Sequence, residues 1–151
     1  MMRLLSNIKL PAKLEYLEQI IDNIADCAKK EGLHQKRVGE IQISTEEALV
    51  NIFNYAYEGV DGEVEINCKM ENNEKFIVEI IDSGVPFDAL SLKPPDVTAG
   101  ISERGIGGLG VYLMKQLMDE VHYKRVGEKN ILTLVISKTY NGNENPGRYG
   151  V

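Results

Sequence analysis

The order of periodic segments predicts an α/β (α+β) two-layer sandwich, with a mixed, mostly antiparallel sheet and helices on one face. Two observations carry that prediction. Strand-like alternation comes in pairs split by short polar turns: "GEVEINCKM" and "KFIVEIID" around "ENNE", then "EVHYKRV" and "NILTLVISK" around "GEKN". Such pairs read as hairpins, which make antiparallel neighbours. Helical periodicity occupies separate stretches before and between these pairs, so helices can cover the sheet.

Residues 3 to 10, "RLLSNIKL", alternate weakly and read as an edge strand ended by Pro11. From Ala12 to Glu31, Leu14, Leu17, Ile20, Ile21, Ile24 and Ala28 recur at helical spacing, and Gly32 breaks the run. A second helix is predicted from about Gln35 to Tyr57, closed by "EGVDG". The first hairpin follows.

Residues 84 to 108 hold Pro86, Pro94, Pro95 and several glycines, which forbid continuous regular structure. A loop of that length inside one domain is usually a lid or a binding segment. A short helix, "LGVYLMKQLMD", leads into the second hairpin. The tail "NGNENPGRYGV" is polar and glycine-rich, so a single domain over 1–140 and a flexible tail over 141–151 are expected.

Composition narrows the function. A chain of 151 residues with 43% hydrophobic and 26% charged content fits one globular domain. A net charge of −6 argues against a nucleic-acid partner and leaves nucleotides and proteins open. There is no long apolar run before Pro11 and no apolar stretch of membrane-spanning length, so neither a signal peptide nor an anchor is expected. Cys27 and Cys68 suit small core positions in a reducing cytoplasm, and no cysteine or histidine pair has zinc-ligand spacing.

Polar residues of chemical interest fall in three clusters. Within "STEEALVNIFNYAY", Glu47 and Asn51 lie four residues apart and share a helix face, while Glu46 points about 100° away. An amide oxygen with phosphates and water can hold Mg²⁺, and a carboxylate one turn away can take a proton from an attacking hydroxyl. The same pair also reads as a solvated polar flank. In "IIDSGVPFD", Asp82 ends an apolar strand and Gly84 permits close approach. That carboxylate can accept from an exocyclic amine such as adenine's, or can serve a plain turn. In "ERGIGGLGVYLMKQL", glycines 105, 107, 108 and 110 precede a helix whose free N–H groups can face phosphate. Neither the dinucleotide fingerprint nor a Walker loop fits this run.

Together and in this order the clusters resemble the ATP-binding fold of the GHKL superfamily. "EALVN" is similar to its N-box, "DSG" to its first glycine box and "GGLG" to its second, with Thr133 in "ILTLVI" similar to a late-strand threonine that helps hold adenine. "DSGVPFD", "IGGLGVYLMKQLMDEVHYKR" and "NILTLVISK" narrow the resemblance to the anti-sigma-factor serine/threonine kinases.

That resemblance implies Glu47 as general base, Asn51 as Mg²⁺ ligand, Asp82 as the adenine acceptor with Gly84 giving it room, and 84–108 as an ATP lid. Arg104, Gly105, Gly107, Gly108 and Gly110 would serve the phosphates, Arg104 either at γ-phosphate charge or at a partner. Implied partners are a sigma factor, which the protein would sequester, and an antagonist (STAS-domain) protein, which it would phosphorylate on serine or threonine. A homodimer is implied too. A non-catalytic ATP-binding switch is the alternative. Tyr55 stands where many relatives have histidine, and the lid is longer than in the best-known sporulation-type member.

Overall fold

The computed structural model describes residues 1–57, 59–88, 90 and 108–139. The expected tail, most of the lid, and Arg104, Gly105 and Gly107 lie outside the described residues.

Strand β1 (Met2–Pro11) is followed by a 3-10 turn (Leu14–Tyr16), α1 (Leu17–Lys30) and α2 (Gln35–Tyr55). Then come β2 (Glu63–Glu71), β3 (Lys75–Asp82), α3 (Gly108–Leu117), β4 (Glu120–Val126) and β5 (Lys129–Ser137). Pro11 does end the first strand. The following segment opens with a 3-10 turn before the α-helix takes over. Gly32 closes α1 with φ +82°, the left-handed conformation that glycine adopts without strain.

The five strands form one sheet in the order β1-β2-β3-β5-β4. Every ladder in it is antiparallel. Strands β3 and β4 run parallel, as the crossover through α3 requires, but β5 folds back between them and separates them. Helices α1 and α3 flank α2, all on one face.

Alternation is cleanest in β2. Val64, Ile66, Cys68 and Met70 of β2, with Phe76, Val78 and Ile80 of β3, are fully buried under the helices. Leu134 and Ile136 of β5 join them, as do Ile20, Ile24, Ile41, Leu49 and Met114 from the helices. Cys68 is thus a core residue, and half-buried Cys27 packs on the same cluster. Burying each such side chain stabilises by about 1.5–3 kcal/mol, which holds α2 immobile against the sheet.

Helix α2 also buries charge. Arg37, 2% exposed, donates to Glu40 at 3.0 Å and to Asp119 at 2.9 and 3.2 Å, and its Nε reaches the Ser137 carbonyl. This cluster pins the start of α2 to the segment joining α3 and β4. The helices carrying two of the polar clusters are therefore fixed to one another at the far end from those clusters.

Candidate active site

Strand β3 delivers Asp82 to the inner face because the even positions 76, 78, 80 and 82 all point under the helices. Asp82 is 5% exposed there. Helix α2 delivers Asn51, also buried, one turn beyond half-buried Glu47, while Glu46 is exposed as its helical angle requires. Ala48, Asn51, Ile52 and Ala56 of α2, Asp82 and Met114 line one pocket, closed by Phe87, Leu90, Tyr123, Asn130 and Leu132.

The turn after Asp82 is held from all sides. Asp82 Oδ1 accepts from the Gly84 N–H at 2.9 Å. The Ser83 N–H donates to the Tyr57 hydroxyl at 2.7 Å, and that hydroxyl donates to the Glu63 carbonyl at 2.6 Å. Val85 N–H donates to the Ala56 carbonyl, and Arg125 Nη1 donates to the Gly84 carbonyl at 2.7 Å. Gly84 itself lies flush on the end of α2, where any Cβ would overlap the Ala56 carbonyl. The turn after Asp82 is therefore anchored to the end of α2.

Gly110 meets Glu47 across the site: a Cβ there would overlap Oε2. The start of α3, with Gly108 as its first residue, thus abuts the carboxylate of α2. Burial pushes the Glu47 carboxyl above its ordinary pKa, and the neighbouring Glu46 charge adds to the shift. A carboxylate made more basic by desolvation is what proton abstraction near neutral pH needs.

Asn51 meets a test for a cation. Its Nδ2 is buried with no hydrogen-bond partner among the described residues. An amide's nitrogen and oxygen exchange places by a flip, so this orphaned position can instead present Oδ1 to Mg²⁺. The residues fit the ion.

The open space in the pocket is about 40 Å³. Formed ligand pockets run to ~300 Å³ or more. Phe87 and Leu90 line this space, and the Phe87 ring lies tilted against Tyr55 with centroids 5.8 Å apart. A ligand of ordinary size would have to displace some of this lining.

Asn51 and Asp82 line one pocket, Gly84 sits in the turn after Asp82, and Gly110 meets Glu47 one helical turn before Asn51. Thr133 is not among them. It pairs with Glu79 and His122, on the opposite face of the sheet from Asp82. The residue directly across from Asp82 is Asn130, whose Nδ2 donates to Asp82 Oδ1 at 2.9 Å and to the Val85 carbonyl at 2.8 Å. The apolar run Ile131–Ile136 has no polar side to mark its inner face, which is why a threonine within it misleads. The hairpin turn alone pairs Asn130 with Arg125; only the β3–β5 register sets it opposite Asp82.

No helix among the described residues is long and apolar enough to cross a membrane.

Residues 10–136 match the model of a histidine kinase-like ATPase domain family. The chain is 33% identical over 118 residues to serine-protein kinase RsbW of Bacillus thuringiensis strain Al Hakam, covering 76% of this chain and 73% of that one. It is 30% identical over 137 residues to serine-protein kinase RsbW of Listeria monocytogenes serovar 1/2a, covering 87% of each. Among solved structures, the histidine kinase domain of the Erythrobacter litoralis EL346 blue-light activated histidine kinase superposes with TM-score 0.53 at 18% identity. That match covers 82% of this chain and 60% of the other, and shows a shared fold.

Proposed function

The chain belongs to the histidine kinase-like ATPase domain family, and from that premise we propose that it is an ATP-dependent anti-sigma factor and protein serine/threonine kinase. Its protein substrate would be an anti-sigma-factor antagonist of the STAS-domain type. The observation that carries this reading is Glu47, half-buried, raised in pKa, one helical turn from the orphaned amide of Asn51 and against Gly110. A module that only binds nucleotide has no use for a base so placed. The serine-protein kinase names of the relatives support the same conclusion.

In this reading Asp82 accepts from the adenine amine, and Gly84 gives the base room. Asn51 would hold Mg²⁺, which would supply charge neutralisation at the phosphates. The first N–H groups of α3, from Gly108 onward, face phosphate oxygens. Glu47 takes the proton of the incoming serine hydroxyl as its oxygen bonds to phosphorus and ADP departs. Positioning and charge stabilisation supply most of such a reaction, so one base suffices. Arg104, Gly105 and Gly107 belong to the same phosphate-binding segment in the proposal, and residues 84–108 act as the lid.

The protein would work in the cytoplasm as a homodimer. Strand β1 forms an edge of the sheet, and such edges invite pairing with a second chain. Light scattering should give a dimer mass at micromolar concentration; a monomer mass with and without nucleotide would reject that part.

The test of the whole is incubation with labelled Mg²⁺–ATP and the small antagonist protein encoded beside it. Label should appear on a serine or threonine of the antagonist. Tight ATP binding with no transfer to any cognate antagonist would instead favour a binding-only switch.

A further inference from the structure

Asn130 does more than fill the place opposite Asp82. It is 5% exposed, so each polar atom of its amide must find a partner inside the protein. Its Nδ2 faces two acceptors, the Asp82 carboxylate at 2.9 Å and the Val85 carbonyl at 2.8 Å. Its Oδ1 accepts from the Tyr123 hydroxyl at 2.6 Å. Flipping the amide would set oxygen against both acceptors and strand the tyrosine proton, so one orientation is fixed.

The consequence falls on Asp82. Oδ1 is engaged by the Gly84 N–H and by Asn130, while Oδ2 has no hydrogen-bond partner among the described residues. Both residues line the pocket beneath Ala56 and Phe87. An ionised carboxylate only accepts, so what is left for a ligand is a single acceptor oxygen. A ligand must bring an N–H to that point or leave a buried carboxylate oxygen without a partner.

We propose that Asn130, oriented by Tyr123, is a positioning residue that locks Asp82 with one oxygen free and so makes the pocket select a 6-amino purine over a purine lacking that amine. This rests on reading the pocket as the site of the nucleotide base. Thr133 cannot do this from the other face of the sheet.

The experiment compares ATP with purine riboside triphosphate, which differs only in lacking the 6-amino group, by calorimetry on the full chain. Wild type should prefer ATP by roughly 10- to 100-fold, the worth of one hydrogen bond to a charged group. Asn130→Ala should lower ATP affinity while leaving the analogue nearly unchanged, so the ratio falls to within about threefold. Tyr123→Phe, which removes only a hydroxyl, should lower the ratio partway and guards against misfolding of the alanine variant. Asp82→Asn serves as the reference for lost discrimination.

A ratio kept at the wild-type value in both folded variants would overturn the positioning role, as would equal losses for both nucleotides. If wild type itself binds neither nucleotide, the nucleotide reading fails along with the inference. If Asp82→Asn loses discrimination and the Asn130 and Tyr123 variants keep it, the inference alone fails.

Discussion

Glu47 of α2 and Gly110 of α3 are so close that a single methyl group on Gly110 would overlap the Glu47 carboxylate. Helix packing thus brings a carboxylate and a glycine-led helix start to one point, although the two lie far apart in the sequence.

Gly110→Ala is therefore expected to separate stability from chemistry. The atom it would strike is the tip of a flexible side chain, which can swing aside at little cost, and alanine favours a helix by up to ~1 kcal/mol over glycine. The melting temperature should hold or rise. Phosphoryl transfer should fall at least about 10²-fold because the base is displaced. Single-turnover kinetics beside a thermal melt will show both.

Gly84→Ala should behave in the opposite way. Here the obstacle is the Ala56 carbonyl, a backbone group that cannot rotate away. The turn would have to rebuild, with loss of the Val85–Ala56 hydrogen bond. A loss of about 1–3 kcal/mol in overpacking strain is expected. Urea unfolding should detect it, together with weakened ATP binding.

The raised pKa of Glu47 sets a pH dependence. A base acts in its ionised form, so transfer should fall as pH drops through a value above the ordinary 4.5. Glu46→Gln removes the like charge that adds to the shift, and should move this acid limb to lower pH without abolishing it. The sign for stability follows from the same shift. A carboxyl whose folded pKa exceeds its unfolded one costs nothing below the unfolded value. Its penalty grows as pH rises to the folded value and persists above it. Glu47→Gln should then melt no lower than wild type at neutral pH, while losing transfer.

Arg37 tests the scaffold rather than the site. Its guanidinium lies between Glu40 and Asp119, both within 3.0 Å of it, in a region where the arginine is almost fully enclosed. Arg37→Ala removes a buried partner from two carboxylates and should cost about 3–5 kcal/mol. Denaturant titration should show a lower midpoint.

Much of this was legible beforehand because it depends on local pattern. The spacing of Glu47 and Asn51 follows from helix geometry. Asp82 closes a strand whose even positions, 76 to 82, are all buried. The hidden parts depend on register between distant strands. Asn130 meets Asp82 only because β5 inserts between β3 and β4, and the apolar run after Asn130 gives no sign of which face is inner. Tyr57 and Arg125, which clamp the Asp82 turn through backbone groups, look like ordinary surface residues in the sequence. Their roles come from where the chain folds, and no local pattern announces that.

Whether Glu47 is the base of a protein kinase is tested most directly by single-turnover phosphate transfer by Glu47→Ala and Glu46→Ala under saturating Mg²⁺–ATP with the cognate antagonist. Glu47→Ala should bind ATP with near wild-type affinity yet transfer phosphate about 10²–10⁴-fold more slowly. Glu46→Ala, exposed and pointing away, should transfer at close to the wild-type rate. Transfer at the wild-type rate by Glu47→Ala would contradict the account, and a defect confined to Glu46→Ala would place the base on the other carboxylate.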